Sequence, residues 1–242
     1  DQALASAEAA GQHVGVAVSR FTPLVIMALT GVDVLDDLRE VVDEMDRHHD
    51  ASAVPARANL ALIEAIYGRL DRATRSLELA VPRIQGPIIR AVADLANGVI
   101  AYTCGDAATA RGHVESALGT RHRHLVVTNL GYSYLALVGA DLGVDLTQDA
   151  ERVLRRSSDV EGNALRGALA DVVASVRHLL QDDLDEAERC VRRAIQIGAD
   201  LGIAMSYPNE QEALLVAGRD TFAPEGSTDP QVDAERRLQR GD

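Results

Sequence analysis

The sequence predicts an all-α protein built from repeated helix–turn–helix units. The first observation behind this fold class is a spacing of small residues with a larger apolar residue between them. The series are Ala73, Leu77, Ala80; Ala110, Val114, Ala117; Ala150, Leu154, Ser157; and Ala187, Val191, Ala194. Their leading alanines are 37, 40 and 37 residues apart (73 to 110, 110 to 150, 150 to 187), a spacing typical of helical repeats.

The second observation is a turn residue five positions before each leading alanine. These residues are Gly68, Gly105, Asp145 and Asp182. Glycine can take the left-handed conformation that ends a helix, and aspartate can cap the first free amides of the next helix. Each unit is therefore expected to contain a helix, a tight turn and a second helix.

The third observation is composition. Hydrophobic residues make up 47% of the 242 residues but aromatic residues only 3%, so the core is expected to consist of Ala, Leu, Val and Ile. Small residues seven apart lie on one stripe of a helix, which lets neighbouring helices approach closely. A large sheet protein normally carries more aromatic residues.

The N-terminal elements are less regular. Residues 2–19 predict an Ala-rich amphipathic helix, and Thr22 with Pro23 predicts the cap and first turn of the next helix. A degenerate first repeat pairs the segments LVIMAL and VLDDLREVVDEM, with Asp36 in place of the expected alanine. Helix starts or ends between units are marked by Pro55, Pro82 and Pro87.

Four segments follow from these patterns. Residues 1–50 hold the N-terminal helices and the degenerate repeat, and residues 51–202 hold the regular repeats. Residues 203–219 predict a capping helix, and residues 220–242 have linker composition followed by a short helix.

The first helices resemble those of tetratricopeptide repeats. Asn129, Leu130, Gly131 and Tyr134 match that pattern, with weaker versions at Asn97, Gly98, Tyr102 and at Asn59, Leu60, Ala61. The resemblance implies a right-handed α-α superhelix of about five repeats with 37–40 residues each. The chain has no Trp, and its period exceeds the family's usual value of about 34 residues. The longer units are similar to the sensor repeats of large ATP-binding LuxR-type bacterial regulators.

In tetratricopeptide proteins the first helix of each unit lines the concave face. The resemblance therefore implies a partner-binding groove approached by Tyr102, Thr128, Asn129 and Tyr132, with Asn59, Arg90 and Asn97 near the same surface. An alternative stays open: Tyr102 and Tyr134 can instead fill gaps between helices. Asn129, if buried, requires a hydrogen-bond partner that a ligand backbone could supply.

Charge and motifs argue against several functions. The net charge of −13 disfavours direct nucleic-acid binding. There is no lysine, hence no phosphate-binding loop, and neither a Gly-x-Ser-x-Gly nor a His-Glu-x-x-His motif occurs. No apolar run is long enough for a membrane span. We therefore expect neither catalysis nor a cofactor, and a cytoplasmic location.

The remaining candidates for a metal or catalytic site are histidines, cysteines and acidic runs, and for each of them we expect a structural role. His122 and His124, even with His113 or the pair His48 and His49, lack the companions of a zinc site, so a solvated loop is expected and no metal. A small anion-contacting segment at 121–124 is the alternative. Buried small residues are expected at Cys104 and Cys190. The acidic runs at 33–40, 43–46 and 182–188 are expected to cap helices and face solvent.

The sequence thus predicts a non-catalytic repeat domain that binds a protein, a peptide or a small effector in its groove, as the regulatory part of a larger bacterial signalling or transcriptional regulator. One alternative is a structural scaffold or oligomerisation array without a small-molecule pocket. An enzyme with a helical-bundle active site is the least supported interpretation, because no catalytic constellation is present.

Overall fold

The computed structural model describes residues 13–29, 33–48, 51–120, 125–161, 164–181 and 183–200. These segments form ten α-helices and one short 3₁₀ turn, and they contain no β-strand. The predicted all-α class is therefore confirmed. The segments predicted at 203–219 and 220–242 lie outside the described residues.

The helices follow one another as five consecutive pairs. Their bounds are α1 His13–Leu29, α2 Leu35–Arg47, α3 Ala53–Ile66, α4 Leu70–Ala80, α5 Pro87–Thr103, α6 Ala107–Leu118, α7 Leu125–Asp141, α8 Thr147–Glu161, α9 Ala164–Leu180 and α10 Leu184–Asp200. The 3₁₀ turn, Val81–Arg83, follows α4. None of the helices in the described part is both long and apolar enough to cross a bilayer.

The chain divides into two compact units, residues 1–127 and 128–242. In the first unit, α3 contacts both its hairpin partner α4 and the next first helix, α5. In the second, α9 contacts both α8 and α10. This side-by-side arrangement of helix pairs is typical of a repeat protein, whereas the right-handed superhelical path stays a prediction.

Three hairpin turns have the same backbone geometry. Gly68, Gly105 and Gly143 have φ values of 68°, 80° and 67°, the left-handed region that glycine adopts without a steric cost. Each amide bonds a carbonyl three residues back, and the following amide bonds one five residues back, as with Arg69 N to Glu64 O at 2.8 Å. This is the Schellman helix end. The predicted turn is thus confirmed at Gly68 and Gly105.

The third hairpin explains the longer period before Ala150. After α7 ends at Asp141, Gly143 makes the turn, and three further residues, 144–146, precede α8. Asp145 accepts the Thr147 amide at 3.0 Å and so satisfies one of the free amides that start α8. The aspartate is therefore a cap, as predicted, while a glycine two residues earlier makes the turn.

The repeated alanines are buried where neighbouring helices pack together. Ala73, Ala110 and Ala150 are 0% exposed and Ala187 is 1% exposed. The larger residues of the series are buried as well, namely Leu77, Val114, Leu154 and Val191. The predicted spacing of small and large residues is confirmed, because a helix with small side chains on one stripe can approach its neighbours closely.

Two expectations for the N-terminal region are wrong. Thr22 and Pro23 do not begin a helix, because α1 runs through Pro23 from His13 to Leu29. Buried or half-buried apolar residues on both sides of the proline, including Ala17 and Ala28, hold α1 on the core shared with α2 and α3. Asp36 does not take the alanine's place, since it is exposed and pairs with Arg72 at 2.9 Å.

Candidate functional site

Four of the predicted groove residues lie in the first unit, on the first helices α3 and α5. Arg90 is exposed, while Asn59, Asn97 and Tyr102 are half-buried. The Asn59 amide donates to the carbonyl of Pro55, one turn back in α3, at 2.9 Å. Arg90 and Asn97 are seven residues apart and share one stripe of α5. Because α3 and α5 are in contact, these side chains belong to neighbouring first helices.

The other three predicted groove residues lie in the second unit, on α7. Thr128 and Tyr132 are half-buried, and Asn129 is buried with 6% exposure. Arg166 of α9 donates from its Nε to the Asn129 side-chain oxygen at 3.0 Å. The partner that this buried oxygen requires is therefore supplied by the protein. Tyr134, five residues further along α7, is 2% exposed and fills the interior, which agrees with the alternative interpretation for this tyrosine.

Two arginines join α3 and the 3₁₀ turn to α2 in the first unit. Arg57 of α3 is 7% exposed and bonds two acidic residues of α2, Asp43 and Asp46, each at 2.7 Å. Arg83 reaches Asp46 from the 3₁₀ turn at 2.9 Å. Burial raises the pKa of Asp46, but the hydrogen bonds from Arg83 and Arg57 outweigh it, so the net pKa is lowered. The acidic run at 43–46 therefore binds arginines as well as facing solvent.

A buried carboxylate lies where α3 meets α4. Glu64 is 1% exposed, pairs with Arg39 of α2 and accepts the Ser76 hydroxyl of α4 at 2.9 Å. Both carboxylate oxygens are thus satisfied inside the protein. This arrangement fits a structural role better than acid–base chemistry.

The second unit contains an ionic network across three helices. Asp171 of α9 is 4% exposed and lies between Arg155 of α8, at 2.7 Å, and Arg193 of α10, at 3.4 Å. Arg155 also bonds Glu151, which in turn pairs with Arg177. Since the acidic and basic groups alternate, their charges compensate each other within the protein.

One group of metal-ligating side chains adjoins this network. The ligand atoms of His178, Glu186 and Cys190 all lie within 4.8 Å of one another. His178 is in the last turn of α9, while Glu186 and Cys190 are four residues apart on one face of α10. It is the one such group among the residues that the structure describes.

The sequence spacing of these three residues does not by itself predict the group, because it matches no common metal motif. The sequence signal that could have found the group is the position of each residue within its helix–turn–helix unit. Cys190 is the seventh residue of α10, just as Ser76 is the seventh residue of α4. In each hairpin a backbone amide after the first helix donates to a carbonyl five residues back. The Arg69 amide bonds the Glu64 carbonyl in one hairpin, and the Asp183 amide bonds the His178 carbonyl in the other. The pair His178 and Cys190 therefore corresponds to the hydrogen-bonded pair Glu64 and Ser76.

The environment of Cys190 affects its ionisation. The thiol is 1% exposed, and burial raises its pKa, although Arg193 opposes this effect. Arg193 donates from Nη2 to the Cys190 sulfur at 3.1 Å. Burial is as expected for Cys190, whereas the same expectation is wrong for Cys104, which is exposed because it caps the end of α5 beside the turn at Gly105.

The histidines near RHRH are only partly described. His122 and His124 lie outside the described residues, as does His49. His113 is half-buried on α6, and His48 is exposed at the end of α2. The structure therefore leaves the prediction of a solvated loop at 121–124 as a prediction.

No protein-family model matches the chain, and no curated protein has detectable sequence similarity to it.

Proposed function

We propose that the chain is a non-catalytic repeat domain that binds a protein or peptide partner, or senses a small effector, on the exposed side of its first helices. The observation that carries this proposal is the contact between α3 and α5, the first helices of successive pairs. Helices stacked in this way present one continuous surface, which repeat proteins use for binding.

The polar side chains on this surface suit recognition of a peptide. Arg90 is exposed and has no ion-pair partner among the described residues, so its guanidinium is available to a carboxylate or a backbone carbonyl. Asn97 and Tyr102 add a hydrogen-bonding amide and an amphipathic ring. The resemblance to the sensor repeats of LuxR-type regulators adds the proposal that the domain is the regulatory part of a cytoplasmic bacterial regulator.

A photo-cross-linking amino acid placed at Asn97 tests the proposal. In extract of the source cells, we expect it to capture a discrete partner, and Arg90→Ala together with Tyr102→Ala should reduce the yield several-fold. The matched control carries the cross-linker at Ala108, which is exposed on the second helix α6. Equal capture from both positions, or none from Asn97, contradicts a protein or peptide partner on the first helices.

A scaffold or oligomerisation array is the second candidate. The observation in its favour is a set of exposed apolar side chains on α1: Val18, Ile26 and Met27, which are 38%, 57% and 40% exposed. Apolar patches of this kind often mark association surfaces. If this candidate is right, a cross-linker at Ile26 joins two copies of the chain, whereas the one at Asn97 captures nothing.

A further inference from the structure

We propose that His178, Glu186 and Cys190 form a binding site for a divalent transition-metal ion of the Zn²⁺ class. Their ligand atoms already lie within 4.8 Å of one another, so small side-chain movements bring all three into contact with one ion. Zn²⁺ accepts this combination of imidazole nitrogen, carboxylate oxygen and thiolate sulfur. Three protein ligands leave a fourth coordination position for water.

The backbone holds these three side chains together. Glu186 and Cys190 share one face of α10 and are fixed relative to each other by the helix. His178 is brought to them by the hairpin turn, in which the Asp183 amide bonds the His178 carbonyl at 2.9 Å. The site therefore depends on one closed hairpin and requires no folding of a separate loop around the ion.

An unsatisfied nitrogen points to a missing ligand. The Nδ1 atom of His178 has no access to solvent and makes no hydrogen bond within the described part of the chain, although the large majority of buried side-chain polar atoms have a partner. Its nearest acidic group, the Asp183 carboxylate, is 3.6 Å away, beyond hydrogen-bond distance. Coordination of a cation satisfies Nδ1, and the Asp183 carboxylate adds favourable negative charge.

The neighbouring arginines are compatible with a bound cation. Arg177 donates from Nη2 to the other ring nitrogen of His178 at 3.3 Å, and metal binding at Nδ1 replaces this contact because Nε2 then carries the hydrogen. The charge of Arg177 stays compensated by Glu151. Arg193 keeps its hydrogen bond to the Cys190 sulfur, where it stabilises a metal-bound thiolate as an outer-shell donor.

The carboxylate of Glu186 can serve two partners. Its Oε2 pairs with Arg189 at 2.5 Å, while the one cation near its Oε1 among the described residues is the distant Arg193, at 3.9 Å. Oε1 is therefore the oxygen available to an ion. On binding, the Cys190 thiol releases its proton to solvent, and the neutral imidazole of His178 and the ionised carboxylate contribute lone pairs without further proton loss.

Titration of the reduced 242-residue chain with Co²⁺ tests the proposal, because cobalt–thiolate bonds give an intense near-ultraviolet charge-transfer absorption. We expect one cobalt ion per chain, this absorption, and its loss when Zn²⁺ displaces the cobalt. If the wild-type chain shows no thiolate absorption, there is no site of this kind.

The variants assign the ligands. Cys190→Ser should abolish the absorption and remain folded, because Ser76 occupies the corresponding position in the first unit. His178→Gln and Glu186→Gln should each weaken cobalt binding by at least about tenfold. If Cys190→Ser loses its helical circular dichroism, the cobalt affinities of His178→Gln and Glu186→Gln decide whether these residues bind the metal.

Cys104→Ser is the matched control, since Cys104 is the other cysteine of the chain and is exposed. It should bind cobalt as tightly as the wild-type protein. Absorption that survives in Cys190→Ser, or that disappears in Cys104→Ser, overturns the assignment.

Discussion

At the scale of single residues, individual arginines bind acidic side chains of this chain in ion pairs. Although the net charge is −13, acidic side chains of α2 are bound by arginines from other elements, as Asp46 is by Arg57 and Arg83. Burial lowers the pKa of Arg57, but its hydrogen bonds to Asp43 and Asp46 reverse the effect, so the net pKa is raised and the guanidinium stays charged. These contacts join α2 to α3 and to the 3₁₀ turn.

We expect Asp46→Asn to lower the free energy of unfolding at neutral pH. The pKa of Asp46 is lower in the folded chain than its ordinary value of 3.8, so its carboxylate stabilises the fold above that value. This stabilisation is lost as the pH falls through the folded-state pKa. Urea denaturation should therefore show a difference between wild type and variant at about pH 6 that shrinks as the pH falls below 3.8 and vanishes below the folded-state pKa of Asp46.

Asp36→Asn is the matched control for Asp46→Asn. Asp36 also pairs with an arginine, but its side chain is 89% exposed, and exposed pairs contribute only about 0–1 kcal/mol. We expect little change at either pH. A difference between wild type and Asp46→Asn that persists at low pH contradicts the linkage.

At the scale of elements, small residues fix the distance between the two helices of a hairpin. Gly98 of α5 faces α6, where a Cβ atom would lie 2.8 Å from Val114 Cγ2 and 3.4 Å from the Ala110 carbonyl oxygen. Both neighbours belong to the predicted small-residue series. The glycine that the resemblance to tetratricopeptide repeats singles out is thus required by the close approach of α5 and α6.

Gly98→Ala should destabilise the protein by about 1–3 kcal/mol, because Val114 must shift within a closely packed seam. Gly112→Ala is the control: it also replaces a helical glycine, but in the described part of the chain no atom beyond its chain neighbours and the adjacent backbone of α6 lies within 4 Å of its Cβ position. That variant should gain about 0.5–1 kcal/mol from helix propensity. Urea denaturation measures both, and a Gly98→Ala variant as stable as the wild type shows that the seam is looser than the structure has it.

At the scale of the whole molecule, charge limits the choice of partners. The chain has 37 acidic and 24 basic residues, and several arginines are engaged in ion pairs with carboxylates. Binding to a phosphate backbone needs a positive surface that can release counterions. We therefore expect no direct nucleic-acid binding by this chain.

Fluorescence anisotropy with a labelled DNA duplex checks this expectation. At physiological salt we expect no binding tighter than the range of about 10⁻⁴–10⁻⁶ M that is usual for non-specific complexes. Saturable binding at lower concentrations that weakens as salt is added would reveal a positive surface on the chain.

Much of the fold could be predicted from the sequence because its determinants are local. The turn at Gly105 and the buried stripe of Ala110, Val114 and Ala117 depend on glycine's backbone freedom and on helical periodicity, both of which are visible within one hairpin. The continuation of α1 through Pro23 could not be predicted in this way, because contacts with other helices outweigh the local preference.

The sequence by itself determined the helical class, the hairpin turns and the seams of small residues, since each follows from the conformational preferences of neighbouring positions. Only the tertiary structure decided which polar groups meet. Arg166 reaches the Asn129 oxygen from another helix, and closure of the last hairpin brings His178 to Cys190. Contacts of this kind depend on how helices pack against each other. The spacing of residues within one helix does not specify that packing.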